Sequence, residues 1–212
     1  MKLIPIHKLL FFICILASCG YITEAQSAPK STWVSSLCTY KDNSRNLQWT
    51  LPDYSTWRLA EEDRLPKHTQ FCAAMDEYSI VVAFLCIPLG ERNKCQSIKN
   101  ASADFLEGMI SSIKKQAPIF PGIKYGSPII EEVKYLYKDA LKITLYAEIT
   151  DERIVPDTAV PFALRMIVFL KGSEAILIEV MIPQIIVDEC GNEVFSDFTN
   201  GLKYIDATKE IH

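Results

Sequence analysis

The two most apolar runs of the chain are neighbours in the sequence, and they constrain its fold more than any other feature. Residues 162–170 and 175–182 are almost continuously apolar, and Lys171-Gly172-Ser173 separates them. A short connection with a central glycine predicts a β-hairpin. Runs without regular polar alternation are typical of strands that are buried on both faces. We therefore expect an antiparallel sheet with this hairpin at its centre and other layers covering both sides.

The remaining strand and helix signals lie on both sides of this hairpin. Asn100 or Ser102 can cap a helix whose apolar face spans residues 105–113, and a second apolar stripe predicts a closing helix over residues 194–205. Helices on the faces of an antiparallel β-sheet define an α+β fold. The other predicted strands are 47–51 and 57–60, joined by a turn at 52–55 into a hairpin-like opening, then 69–75 and 79–87, and then 130–137 and 141–150, which turn at 138–140.

The order of these elements resembles the Mog1/PsbP-like fold, and especially the bacterial PsbP-like envelope lipoproteins related to DcrB. Residues 51–57, Leu-Pro-Asp-Tyr-Ser-Thr-Trp, are similar to the opening strand and turn of that family. The stretch from Arg165 to Leu177 resembles its Arg-x-hydrophobic strand, short turn and returning strand. The resemblance covers residues 45–206 and implies an α/β/α sandwich that serves as a non-catalytic accessory or binding protein. No site residue carries over, because the family has no catalytic motif to match.

The N-terminus has the form of an export signal. Two lysines precede an apolar run that ends in Leu16-Ala17-Ser18-Cys19, and this run is shorter than the roughly 20 apolar residues of a transmembrane helix. The tetrapeptide resembles the bacterial lipobox. It predicts a lipoprotein-type signal peptide over residues 1–18 and a lipid anchor on Cys19. Cleavage after Ala25 is the alternative, and it would release a secreted or periplasmic protein.

One domain is expected after the leader, because no linker or change of composition divides the chain. Residues 19–44 are predicted to be a tether and N-terminal segment, residues 45–206 the domain, and residues 207–212 a tail. Loss of the leader leaves 20 basic and 26 acidic side chains, which argues against nucleic acid as a partner. We expect a membrane-anchored protein of the cell envelope that faces the periplasm or the exterior, with the membrane and an envelope protein as its partners.

The cysteines allow several interpretations. Five remain after either cleavage, so at least one thiol is unpaired. Cys86 and Cys95 flank a turn-rich stretch, which favours a disulfide between them. Cys72 and Cys190 also fit as small buried residues. His68 and Cys72 lie in one predicted segment, but four residues of extended strand span about 13 Å, too far for a nucleophile and its base.

No motif in the sequence marks a catalytic, cofactor-binding or metal-ligating residue. Gly-x-Ser-x-Gly, Walker and His-Glu-x-x-His patterns are missing, and the acidic runs 61–63, 131–132 and 188–189 lack calcium-ligand spacing. We therefore expect a non-enzyme: an exported, lipid-anchored accessory or binding protein whose variable surface is formed by loops 117–129 and 151–159. The alternatives are a small extracytoplasmic enzyme that uses a free cysteine and a structural subunit of an envelope assembly.

Overall fold

The structure of the protein is a computed structural model, which describes residues 31–61, 65, 68–89, 98, 107–108, 123–149, 160–190 and 193–205. These residues form two sheets in which all paired strands are antiparallel. The small sheet consists, in spatial order, of β1 (Ser31–Val34), β2 (Thr39–Asp42), β3 (Leu47–Thr50) and β12 (Leu202–Tyr204). The large sheet consists, in spatial order, of β4 (Trp57–Leu59), β5 (Thr69–Met75), β6 (Ile80–Pro88), β11 (Glu174–Pro183), β10 (Val160–Lys171) and β9 (Lys138–Ile149), with β7 (Ile123–Tyr125) and β8 (Ile129–Tyr135) both paired to β9.

The predicted central hairpin is confirmed. Strands β10 and β11 pair continuously from Phe162 opposite Pro183 to Lys171 opposite Glu174. Gly172 closes the turn with a φ of 61°, a left-handed conformation that glycine adopts without steric cost. Alternate residues of both strands enter two separate clusters of buried apolar side chains, one on each face of the large sheet. The hairpin is therefore buried on both faces, as its nearly continuous apolar runs predicted.

One face of the large sheet, called the second face below, is covered by the small sheet together with two short helices. The opposite face is called the first face. Tyr40 of β2 stacks on Phe71 of β5 with ring centroids 4.8 Å apart, and the indole nitrogen of Trp49 donates to the carbonyl of Phe198 over 2.7 Å. The helices are α1 (Gln184–Cys190) and α2 (Glu193–Asn200), and they place Val187, Phe195 and Phe198 in the same cluster. This corrects the prediction of a single sheet with helices on its faces, because the small sheet forms part of the cover on the second face.

The chain changes sheets where a hairpin was predicted. Strand β3 pairs with β2 and β12, whereas β4 pairs with β5 in the other sheet. The turn at 52–55 therefore carries the chain from one sheet to the other, and the indole nitrogen of Trp57 fixes it by donating to the carbonyl of Pro52 over 2.9 Å. The predicted hairpin of residues 47–51 and 57–60 is wrong. Residues 31–42, assigned to the tether and N-terminal segment, include β1 and β2 of the small sheet.

The closing helix is shorter than its apolar stripe predicted. It ends at Asn200, and Leu202 pairs with Trp49 as part of β12. Gly201 makes this possible, because a Cβ at that position would lie 1.8 Å from the carbonyl oxygen of Thr50. Of the predicted helix over 105–113, only Glu107 and Gly108 lie within the described residues. Both of these residues are helical, as is Ile98 before them.

Candidate functional site

The predicted lipidation and disulfide residues lie only partly within the described structure. Cys19 and Cys95 are outside the described residues. Cys86 lies in β6 as a free, buried thiol, and burial raises its pKa, which the nearby Arg45 guanidinium opposes only in part. Because Cys95 is not described, the Cys86–Cys95 disulfide stays a prediction. As a thiol, Cys86 is a poor nucleophile, since the reactive form is the thiolate.

The other described thiols occupy unlike environments. Cys72 is buried in the cluster on the first face of the large sheet. His68 immediately precedes β5, and the backbone carbonyl of His68 accepts a hydrogen bond from the backbone nitrogen of Cys86 over 2.9 Å. The pKa of Cys38 is raised by burial and by the neighbouring Asp53 carboxylate. Cys190 is exposed at the end of α1, so its interpretation as a small buried residue is wrong. The burial of Cys72 and the raised pKa of Cys38 are the opposite of what activates a catalytic cysteine.

A partly buried ion cluster joins the two sheets at the β10–β11 turn. Arg45, in the β2–β3 turn, donates from Nε and Nη2 to the two carboxylate oxygens of Glu174, each over 2.7 Å, and from Nη1 to Asp42 over 2.8 Å. The Asp42 carboxylate also accepts from Ser44 and from the backbone nitrogen of Arg45. The hydrogen bonds that Arg45 donates to Glu174 hold the pKa of Arg45 above its usual range. Because both carboxylates are already engaged, this cluster acts as a structural clamp between the sheets.

A buried carboxyl group lies on the first face of the large sheet. Glu179 of β11 is buried next to Met166 and Ala83 of the adjacent strands, and its Oε2 atom has no hydrogen-bond partner within the described residues. Burial raises the pKa of Glu179 to about 7. It also raises the pKa of Tyr125 to about 12, with a smaller contribution from the Glu179 charge. Glu179 is therefore a buried carboxyl group among largely apolar side chains, and Tyr125 is a titratable group that responds to its charge.

The described residues contain no group of three or more histidine, cysteine, aspartate or glutamate side chains that could hold a metal ion. None of the described helices is long and apolar enough to span a membrane. Of the two loops predicted to form a variable surface, 151–159 lies outside the described residues, and 117–129 is described only from residue 123 onward. That part contains β7 and the first residue of β8.

Strand β8 differs from every other long strand of the large sheet, because it is exposed along most of its length. Ile129, Ile130, Glu131 and Glu132 are all exposed, which means that side chains on both faces reach solvent. One side of β8 pairs with β9 over its full length, and its other side pairs with no other described strand. Unpaired backbone N–H and C=O groups along a strand edge are a template for another strand.

Ion pairs join β8 to β9 on both faces of the large sheet. Lys142 lies opposite Glu131, with 2.9 Å between Nζ and the carboxylate. Asp139 lies opposite Lys134, with 2.7 Å between the Lys134 Nζ atom and the Asp139 carboxylate. Cross-strand pairs of opposite charge stabilise a register. Charged residues are typical of edge strands, so the acidic run 131–132, which lacks calcium-ligand spacing, is the sequence signal for this edge.

The turn after β8 presents a tyrosine to solvent. Leu136 and Tyr137 have φ angles of 47° and 63°, the pair of left-handed residues that a two-residue hairpin turn requires. The predicted turn at 138–140 is wrong, since turns of this kind favour Asn and Gly and this chain uses Leu and Tyr. The Tyr137 side chain is fully exposed, whereas Tyr135 packs near Phe169 and donates its hydroxyl to the carbonyl of Thr199. Strand β8 and Tyr137 are therefore the candidate interaction edge of this protein.

Comparison with solved structures identifies the fold that carries this edge. The chain is similar to cyanobacterial PsbP from Synechocystis sp. PCC 6803, with a TM-score of 0.53 at 8% sequence identity over 88% of this chain and 97% of that chain. This similarity confirms the predicted Mog1/PsbP-like fold, so the protein is an α+β protein of that fold class.

Two further solved structures are similar to a lesser degree. The Ran-binding protein Mog1p of Saccharomyces cerevisiae has a TM-score of 0.43 at 7% identity, over 80% of this chain and 96% of that chain. LpqN, involved in cell envelope biogenesis of Mycobacterium tuberculosis, has a TM-score of 0.41 at 10% identity, over 74% of this chain and 82% of that chain. No protein-family model and no curated protein matches the sequence.

Proposed function

We propose that this protein is a non-catalytic accessory or binding protein of the bacterial cell envelope, exported, anchored to a membrane through a lipid on Cys19, and in contact with a protein partner through strand β8. The observation that carries the proposal is the exposed outer side of β8, which pairs with no described strand. An extended edge strand binds another strand by main-chain hydrogen bonds, and its side chains select the partner. The fold shared with PsbP is compatible with this role and does not fix it.

The alternative of an enzyme that uses a free cysteine receives less support from the thiols. The pKa values of Cys86 and Cys38 are raised, so that these two thiols hold their protons more firmly than a free cysteine does. A reactive cysteine needs the opposite shift. A binding role requires no such group, and it uses the exposed edge.

The contact through β8 is tested by crosslinking in intact cells. Ile129 in β8 is 50% exposed, and Tyr78, in the β5–β6 turn at the opposite side of the large sheet, is 40% exposed. Replacing each residue singly with a photoreactive phenylalanine gives two matched probes. A discrete adduct from position 129 that position 78 does not form is the expected result. Adducts from neither position, or the same adducts from both, would contradict the proposed function.

The anchor is tested separately from the contact. Cys19→Ala removes the thiol that would carry the lipid, so we expect the protein to leave the membrane fraction or to remain as an uncleaved precursor. Cys14→Ala, in the same leader, is the matched control and should leave fractionation unchanged. Membrane association that survives Cys19→Ala would contradict the lipid anchor, and a mature N-terminus at Gln26 would favour cleavage after Ala25.

A further inference from the structure

We infer that the partner of β8 is β8 of a second copy of this chain, paired antiparallel in a register centred on Val133. This inference rests on the proposed function, which assigns a protein contact to β8, and it names the occupant of that contact. It follows from the symmetry of such a pair, from the order of charges along the strand and from the exposed apolar residues at its two ends.

Symmetry restricts the possible registers. Two copies of one strand that extend a continuous sheet are related by a two-fold axis normal to the sheet, so each residue faces the residue equally far on the other side of the axis. Side chains that face each other across the pair then lie on the same face of the sheet. The residue on the axis faces its own equivalent, and for an axis inside the charged part of β8 this residue is one of Glu131, Glu132, Val133 or Lys134.

The charges of β8 select one of these registers. An axis at Glu131, at Glu132 or at Lys134 places a residue opposite its own equivalent of the same charge, which is destabilising. An axis at Val133 places valine opposite valine. In that register Glu132 faces Lys134 of the second copy, and the symmetry repeats this pair of opposite charges on the other side of the axis. Only this register, among the four, avoids facing like charges.

The contacts already present within one copy fit the same arrangement. The Lys134 ammonium lies 2.7 Å from Asp139 of β9, and its side chain is largely exposed. Lysine has three donors, so Lys134 can serve Asp139 and Glu132 of the second copy together. The result is a row of negative, positive and negative side chains across β9, β8 and β8 of the second copy. On the other face Glu131 is already paired with Lys142, and it faces Tyr135 of the second copy, which is uncharged.

The exposed apolar residues also match in this register. Beyond the paired residues, it brings Ile129 and Ile130 near the turn residues Leu136 and Tyr137 of the second copy. Ile129, Ile130 and Tyr137 are all exposed in a single copy. Pairing would remove these side chains from water at both ends of the interface, and burial of apolar surface favours association.

A pair of seven-residue strands is small for a protein interface. Standard interfaces bury about 1,600 Å², and one strand pair buries less, so we expect a dissociation constant in about the micromolar range. Anchoring of both copies in one membrane raises their effective concentration without any new contact. The inferred dimer is therefore a weak complex that membrane attachment favours.

Charge exchange between two variants tests the inference. In Glu132→Lys the facing residues are both basic, and in Lys134→Glu both are acidic, so each variant alone should lower the association constant by at least about tenfold. In a mixture of the two variants, each charged side chain at positions 132 and 134 faces one of opposite charge in the other variant, so heterodimers should form. The double variant E132K/K134E restores opposite charges across the pair and should dimerise more strongly than either single variant, although it loses the Lys134–Asp139 pair within each copy. The measurement is sedimentation velocity of the full chain in mild detergent, above and below the micromolar range.

Glu77→Lys is the matched control. It changes the net charge as Glu132→Lys does, and it lies in the exposed β5–β6 turn, so dimerisation should not change. A wild-type chain that stays monomeric at every concentration, or single variants whose mixture stays monomeric, would overturn the inference. If the position-129 adduct then contains a different protein, the proposed function stands and only the identity of the partner is wrong. If that adduct is also missing, the proposed function fails as well.

Discussion

Strands β11 and β8 belong to the same sheet and are fixed in their positions by different forces. Eight of the ten residues of β11 are buried, and both of its neighbours, β6 and β10, pair with it. Strand β8 has no buried residue and one paired side among the described strands. The register of β11 follows from hydrophobic burial, since a slip by one residue would exchange the faces of its side chains. The register of β8 follows from a tight turn and from charge pairs with β9.

Under the proposed function, this difference lets one sheet combine a fixed centre with an edge that binds a partner. Apolar side chains at the centre contribute free energy of folding without regard to a partner. Charges at the edge contribute little to stability, but under the proposed function they exclude most strands by repulsion and admit one with the complementary order. Substitutions in β11 should therefore change stability, and substitutions in β8 should change association.

The largest expected effect is the loss of a buried side chain from the centre. Ile178 of β11 is fully buried between Phe84 and Ile167 of the adjacent strands. Ile178→Ala should lower the free energy of unfolding by about 2–5 kcal/mol. Ile130→Ala in β8 removes the same atoms from an exposed site, and should cost less than about 1 kcal/mol. Urea unfolding of both variants measures the difference, and equal losses would remove the distinction between the two strands.

The next effect concerns the ion cluster in which Arg45 binds Asp42 and Glu174, the first residue of β11. Arg45→Ala leaves the Asp42 carboxylate, whose side chain is only 2% exposed, without its cationic partner. Removal of one member of a buried pair costs about 3–5 kcal/mol, and the remaining hydrogen bonds of Asp42 should keep the loss of unfolding free energy near the lower value. Arg58→Ala is the control, since the pair of Arg58 with Asp76 is exposed. It should cost less than about 1 kcal/mol. A similar loss in both variants would show that the clamp does not join the sheets.

Glu179 of β11 should make the free energy of unfolding of the protein depend on pH. Its pKa is raised from 4.5 to about 7, so between these values only the folded state holds the proton. The free energy of unfolding therefore falls as the pH rises through this window, by about 2 kcal/mol between pH 5 and pH 8, and changes no further above it. Glu179→Gln should remove this part of the decrease. Urea unfolding at both pH values tests it, and an unchanged slope in the variant would assign the pH dependence to other groups.

The smallest effect on folding is expected at the edge. Glu132→Lys should change the free energy of unfolding of the monomer by less than about 1 kcal/mol, because Glu132 is exposed. The measurement is urea unfolding at a concentration below the micromolar range, where association does not contribute. A larger loss would mean that Glu132 supports the fold of one copy, and its effect on association would then need another explanation.

The sequence predicts the centre of this molecule better than its periphery, because the signals at the centre are local. The run of residues 162–182 contains both strands of the central hairpin and the glycine that turns it, and the structure confirms all three. The pairing of Trp49 with Leu202 joins strands more than 150 residues apart. No local pattern predicts such a contact, so the small sheet was missed and β12 was interpreted as the end of a helix.

The candidate site was visible in part. Alternation over residues 130–137 predicts the strand, and its charges are of the kind found at edges. Whether a strand has one neighbour or two depends on the order of the whole sheet, which periodicity does not contain. The turn at Leu136 and Tyr137 lacks the residues that mark such turns, because the pairing of β8 with β9 imposes it. Cys19 and the loop 151–159 lie outside the described residues, so the predictions for them remain predictions.

Hydrogen exchange of the wild-type protein tests the central contrast most directly. Backbone amides of β8 that point away from β9 pair with no described strand in a single copy and are hydrogen-bonded in the inferred dimer, whereas the amides of β11 are bonded in both. We predict that the outward amides of β8 are protected at concentrations above the micromolar range and lose this protection on dilution, while the amides of β11 keep theirs. Rapid exchange of the outward β8 amides at every concentration would contradict the account.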